Sequence, residues 1–329
     1  MSHSKTIALG KNGPQVFPIA LGCMGMSGMY GQTTDDEGIR TIHAAIERGV
    51  TLIDTGDFYG MGHNEMLVGR AIAGRRDKVQ ISVKFGALRD PQGSWGGVDC
   101  RPAAVKNFVA YSLKRLGVDV IDVYRPARLD PNVPIEDTIG AISELIKQGY
   151  VRHIGLSEVG VETIRRAHAV HPIVDLQIEY SLASRAPEEK IFPVLAELGI
   201  SATLYGVFSR GLLSGSKPTA PTDFRAHLPR FTGEEGARNA VVVEKLRALA
   251  EAGGRTPSQL CVAWTLAKQP SLVPVLGART PSQLEDVLGA LAKPLSAKEV
   301  AEVEAVVPPG AIAGPRYHAA QMAHLDSER

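Results

Sequence analysis

Eight short apolar segments alternate with helix-like segments along the whole chain, and no other feature of the sequence restricts its fold as much. The strand candidates are Ile19 to Cys23, Val50 to Thr55, Val79 to Lys84, Val120 to Tyr124, Val151 to Ser157, Val174 to Glu179, Ser201 to Tyr205 and Leu272 to Leu276. Between them, apolar residues recur at three and four spacing over Gly38 to Arg48, Ala103 to Leu116, Ile135 to Gln148, Glu189 to Leu198, Val241 to Ala252 and Pro281 to Leu291. That period belongs to helices with one buried face. Alternating strands and helices build a parallel sheet, and eight strands in 329 residues suit a (β/α)8 barrel better than an open sheet. The expectation is an α/β chain forming one barrel domain over residues 1–329. A hairpin around Gly10-Lys-Asn-Gly13 precedes it, and a tail without clear period follows Pro308.

An open Rossmann sheet would need Gly-x-Gly-x-x-Gly after its first strand. Here Gly22-Cys-Met-Gly25 spaces its glycines three apart, and Gly60-Met-Gly62 lacks the third glycine and follows the wrong strand. Thirty-six basic residues against thirty-five acidic ones, with no long run of either sign, give no footprint for nucleic acid or an anionic membrane. Cys23, Cys100 and Cys261 are scattered and unpaired in spacing, which argues against a disulfide scaffold or a zinc knuckle. His63 and Glu65 supply two ligand types without a third, so no metal is expected. The N-terminus has no apolar signal core and no stretch reaches the ~18 apolar residues of a membrane span, so a cytoplasmic protein is expected.

Barrel enzymes hold their chemistry at the C-terminal ends of the strands. Asp54, Tyr59 and Lys84 fall at or just past the ends of the second and third strand candidates. A phenol titrates near ~10, so it donates a proton poorly at neutral pH unless a cation stabilises its phenolate. Lys84 is placed to do that, and Asp54 to hold the ammonium charged, a group suited to protonating a carbonyl oxygen during reduction. The Gly86 to Gly97 loop, carrying Trp95, and the connection from Leu213 to Ala237 are long enough to cover such a site. Trp95 is an expected apolar wall of the substrate pocket.

The run Asp54-Thr-Gly-Asp-Phe-Tyr59-Gly-Met-Gly-His-Asn-Glu65, followed by Gly69-Arg-Ala71 and then Lys84, resembles the motif of the aldo-keto reductase family. Further matches lie in order at Leu21 to Met26, Gly149 to Ser157, Gln177 to Ser181, Ser209 to Leu213 and Pro274 to Arg279, covering nearly the whole chain. The resemblance implies a TIM barrel and NADPH-dependent reduction of small aldehydes or ketones without metal or flavin. In it Tyr59 is the general acid, Lys84 lowers its pKa and Asp54 pairs with the lysine. One position departs: where relatives read His-Arg-x-Asp-Pro, this chain reads Ala127-Arg-Leu-Asp-Pro131. A methyl cannot hydrogen-bond a carbonyl, and Arg125 or a water is the expected substitute in the substrate pocket. Arg128 looks like the family's structural arginine.

The resemblance also assigns Ser157 and Gln177 to the nicotinamide amide and Tyr205 to the nicotinamide ring. Glu158 stands where asparagine is frequent. Ser209, Arg210, Gly211 and Leu213 are expected to offer backbone N–H groups and a guanidinium to phosphate. Gly277, Arg279 and Gln283 open a helix whose N-terminus favours an anion, and the guanidinium fork of Arg279 suits the 2'-phosphate of NADPH. Two rivals remain: the same site oxidising an alcohol or hydroxy-sugar with NADP+, and a cofactor-binding regulatory subunit similar to the β subunits of potassium channels. Homo-oligomerisation through the barrel's helical faces is compatible with either.

Overall fold

A computed structural model describes residues 6–28, 31, 33–218, 223–269 and 271–329. Its strands are β1 (Ala20–Gly22), β2 (Leu52–Gly56), β3 (Gln80–Phe85), β4 (Ile121–Pro126), β5 (Val151–Ser157), β6 (Ile173–Glu179), β7 (Ser201–Tyr205) and β8 (Leu272–Gly277), all parallel. They pair in sequence order, and β8 closes on β1 through Val275 with Ala20, Leu276 with Leu21 and Gly277 with Gly22. The expected (β/α)8 TIM barrel is what forms.

Around it lie α1 (Asp35–Glu47), α2 (His63–Ile72), α3 (Pro102–Leu116), α4 (Ile135–Lys147), α5 (Val161–Val170) and α6 (Ile191–Leu198). They are followed by α7 (Gly233–Ala252), α8 (Pro257–Lys268), α9 (Pro281–Leu288), α10 (Ala297–Val306) and the single turn α11 (Ala319–Met322). Side-chain oxygens start several of them: Thr34 accepts from Glu37 N, while Thr256 with Gln259 and Ser296 with Glu299 form complete capping boxes.

The N-terminal hairpin, Ile7–Ala8 against Gln15–Val16, plugs the lower end of the barrel. Gly10 N donates to Ser201 Oγ at 2.7 Å and Lys11 N to Gly199 O at 3.0 Å, which ties the turn to the start of β7. A side chain at Gly10 would bring its Cβ within 2.6 Å of Val174 O, so the turn needs glycine. Leu9 and Val16 then pack with Ala20, Leu52, Val123, Val174 and Val273 in an apolar layer that excludes water from below.

Two segments are more ordered than their composition suggests. Residues 87–98 hold an antiparallel pair, Ala87–Arg89 with Trp95–Val98, and α7 begins at Gly233, eight residues before its apolar period starts. The expected connection from Leu213 to Ala237 includes residues 219–222, outside the described residues. The tail after Pro308 folds back across the upper mouth. Asp326 Oδ2 accepts from Gly160 N and Thr163 Oγ1, and His324 packs 6.2 Å from Trp95.

Candidate active site

Strand alternation puts Asp54, Ser82, Lys84, Arg125, Asp175, Gln177 and Thr203 inside the barrel, above its apolar floor. Registry does the rest: Asp54 sits beside Ser82, Lys84 beside Arg125, and Gln177 between Ser157 and Thr203. Lys84 Nζ donates to Asp54 Oδ1, and to Gln177 Oε1 at 2.9 Å. The other carboxylate oxygen of Asp54 accepts from Ser82 Oγ at 2.8 Å and Gln177 Nε2 at 2.9 Å. Both oxygens of this carboxylate are therefore held, and the ammonium has a fixed direction.

Burial pushes the Lys84 pKa below its ordinary value; Asp54 opposes that push, while Arg125 and Arg128 add to it. The ammonium lies 5.2 Å from the centroid of the Tyr59 ring, so phenol, amine and carboxylate converge at the end of β2 and β3. Tyr59 is 9% exposed at the mouth, packed edge-on against Phe58 at 4.8 Å.

The turn that aims Tyr59 is anchored by the residues after it. Asn64 donates to Cys23 O and Ser27 Oγ, both at 2.8 Å, and accepts from Thr55 Oγ1 at 2.7 Å. Glu65, fully buried, pairs with Arg115 at 2.5 Å, and His63 bridges Ser27 and Asp35. The Gly-His-Asn-Glu run thus fastens the Tyr59 turn to β1, α1 and α3.

Arg125 requires a correction. It is expected at the substrate but lies fully buried beneath Lys84, donating to Asp175 Oδ2 at 2.8 Å and Ser82 Oγ at 3.0 Å. A guanidinium on an inward strand position follows the registry into the barrel, where the buried Asp175 carboxylate offsets its charge. Ala127, buried at 2% exposure, presents a methyl beside Lys84's strand. Trp95 reaches the rim at 43% exposure, with Arg89 5.8 Å from its ring.

The phosphate expectation for Ser209 to Leu213 also changes. Ser209 N, Gly211 N, Leu212 N and Leu213 N donate within the loop, to Gly206, Phe208, Ser209 and Phe208 carbonyls respectively. Arg210 donates to Glu179 Oε2 at 3.2 Å and stacks 4.2 Å from the Tyr317 ring. In this conformation the loop closes on itself because Ser209 and Arg210 both take left-handed backbone angles, φ 46° and 58°. Gly277 and Arg279 fit a dinucleotide better. Gly277 is exposed at the end of β8, and Arg279 precedes the Thr280 cap of α9 with no carboxylate within ion-pair distance among the described residues. Gln283 Oε1 accepts from Arg279 N at 2.9 Å, which steadies that corner.

Glu158, left open in the sequence, organises the far side of the mouth. It is fully buried with φ 53° and accepts from Tyr205 Oη at 2.7 Å. Burial opposes its charge, yet the hydrogen bonds and charge of Arg316, with Arg128 behind, hold the carboxyl at about 2. Burial first, and then Glu158, push the Tyr205 phenol well above its ordinary range. Ser157 is buried at the end of β5. The buried pair of Arg125 and Asp175 and the tail's Arg316 and Tyr317 went unnoticed in the sequence. Asp175 was detectable, since it shares the inward face of β6 with Gln177.

Comparison with known proteins supplies the remaining link. A family model described as the aldo/keto reductase family matches residues 18–308. A probable aldo-keto reductase of Glycine max is 40% identical over 322 residues, covering 95% of this chain and 91% of that protein. A glycerol dehydrogenase from Gluconobacter oxydans superposes with TM-score 0.83 at 31% identity, over 94% of this chain and 97% of the other. The holo form of an aldo-keto reductase from Bacillus halodurans gives 0.78 at 29%, over 95% and 98%. With the converged Asp54, Tyr59 and Lys84, this match across the barrel means that the chain belongs to the aldo-keto reductase family, oxidoreductases that act on carbonyl compounds with nicotinamide cofactors.

Proposed function

We propose that the protein is an NADPH-dependent reductase of aldehydes or ketones with Tyr59 as general acid. The carrying observation is the Lys84 ammonium, fixed by Asp54 and 5.2 Å from the Tyr59 ring centroid. Tyr59 gives its proton to the carbonyl oxygen, and the adjacent ammonium stabilises the phenolate left behind. Asp54 keeps Lys84 charged against the burial that works to neutralise it. NADPH, when bound, supplies the hydride to the carbonyl carbon. Arg279, at the start of α9, is the group suited to its 2'-phosphate. Tyr205 and Ser157 stand at the strand ends where the nicotinamide is expected, and Gln177 acts chiefly through Lys84 and Asp54.

A second reading runs the same site in the oxidative direction on a polyol or hydroxy-sugar, and the likeness to a glycerol dehydrogenase favours it. The test is NADPH carrying deuterium at C4, incubated with a carbonyl panel and followed by mass spectrometry of the alcohols formed. Deuterium on the carbinol carbon supports reduction. Tight NADPH binding with no labelled product across the panel contradicts it and favours a cofactor-binding regulatory role.

A further inference from the structure

Four arginines within the barrel and around its mouth are paired with carboxylates. Arg125 pairs with Asp175 at 2.8 Å, Arg210 with Glu179 at 3.2 Å, Arg230 with Glu179 at 3.7 Å and Arg316 with Glu158 at 2.6 Å. Arg128 differs. It directly follows Ala127 past the end of β4, and its side-chain bond goes from Nη1 to the Ala127 carbonyl at 2.6 Å. No carboxylate of the described residues lies within ion-pair distance of it. Among the described residues its other guanidinium nitrogens have no acceptor, and neither is a buried unpaired atom. Arg128 as a whole is half-buried.

The chain itself positions this charge: Ala127 N, just before it, donates at 2.8 Å to Phe85 O, one residue past Lys84. Arg128 acts on Lys84, lowering its pKa, and on Glu158, lowering that one as well. It therefore leaves β4 at the Lys84 end of the barrel. The two carboxylates nearest the chemistry, Asp54 and Glu158, are already held by Lys84 and Arg316. Arg89, at the rim and 5.6 Å from the Phe58 ring, adds a second cation with no carboxylate of the described residues within ion-pair distance. A pocket so charged favours a substrate that brings its own anion.

Resting on the reductase reading above, we infer that Arg128 selects the substrate, and that the preferred carbonyl compounds carry a carboxylate within a few bonds of the reacting carbon. The planar fork of a guanidinium matches a carboxylate with two parallel hydrogen bonds. The methyl of Ala127 leaves room for that anion where an imidazole would stand. Arg128 is a specificity residue here, and proton delivery stays with Tyr59.

The experiment compares kcat/KM for matched pairs, succinic semialdehyde with butyraldehyde and carboxybenzaldehyde with benzaldehyde, in wild type, Arg128→Gln and Arg128→Lys. The wild type should favour the charged member of each pair by about 10- to 100-fold, the range of a charge-assisted contact. The ratio should collapse toward unity in Arg128→Gln and recover in part in Arg128→Lys. No preference in the wild type, or a ratio that survives Arg128→Gln, overturns the inference while leaving carbonyl reduction in place. Equal losses on both members, or NADPH affinity falling with them, would make Arg128 a structural or cofactor residue and overturn it too. Absence of turnover on every probe would instead sink the reductase reading. Calorimetric titration of the NADP+-loaded protein with succinate then decides the anion site by itself: binding weakened about tenfold by Arg128→Gln supports it, and no binding overturns it.

Discussion

Arg316 of the C-terminal tail donates to both carboxylate oxygens of Glu158, at 2.9 and 2.6 Å. The same guanidinium reaches Glu179, Glu328 and the Tyr205 hydroxyl. A segment without periodicity is thereby fastened to the ends of β5, β6 and β7. Glu158 titrates in the folded protein at about 2, below its ordinary 4.5. Its contribution to stability is therefore present above about 4.5 and lost as pH falls through about 2. Glu158→Gln should cost roughly 3 kcal/mol near neutral pH, because it leaves Arg316 short of a buried partner, and much less in acid. Thermal unfolding against pH checks this; a difference between variant and wild type that does not shrink in acid would contradict it.

Asp57 behaves oppositely. Burial first, then the nearby Glu65, push its carboxyl up to about 7, against hydrogen bonds from Gly86 and Phe58. A raised folded pKa means that its contribution is complete below about 3.8 and disappears as pH rises through about 7. Asp57→Asn should therefore gain on the wild type between about pH 4 and about pH 7, read as a growing difference in Tm. A constant difference would show that Asp57 titrates normally.

Asp54 is the group opposing the burial that lowers the Lys84 pKa. In Asp54→Asn the ammonium should lose its proton at lower pH, so the alkaline limb of kcat moves toward acid. We expect kcat to fall on the order of 10- to 100-fold at neutral pH, the scale of a mispositioned acid–base group. An unmoved limb would mean that Lys84 stays charged without Asp54.

Arg279 carries the cofactor expectation. Removing its guanidinium in Arg279→Ala should weaken NADPH binding about 10- to 100-fold and leave NADH binding nearly unchanged, because only NADPH presents the extra phosphate. Parallel fluorescence titrations read both constants. Equal losses for the two nucleotides would assign Arg279 to the shared part of the dinucleotide.

Much of this molecule was legible in its letters, and the exceptions have physical causes. All eight strands were identifiable within a few residues, since each is a short, largely buried run between helical segments. Helix α2 escaped notice because its first turn buries Asn64 and Glu65, polar residues that interrupt the apolar stripe. Helix α8 also escaped notice, because its start is marked by the capping box of Thr256 and Gln259 with Pro257, which periodicity alone does not register. In the site, Asp54, Tyr59 and Lys84 could be read from strand ends. Arg125 could not, because its placement depends on Asp175, fifty residues away in the chain. Glu158 and Arg316 are 158 residues apart, and only the returning tail makes them partners.

The most direct test of the whole account is Tyr59→Phe, assayed for carbonyl reduction beside NADPH affinity. If the phenol hydroxyl acts on the transition state as proposed, kcat should fall about 100-fold or more while the NADPH Kd stays within about twofold. A variant that retains its turnover would contradict Tyr59 as the general acid and, with it, the mechanism assigned to this barrel.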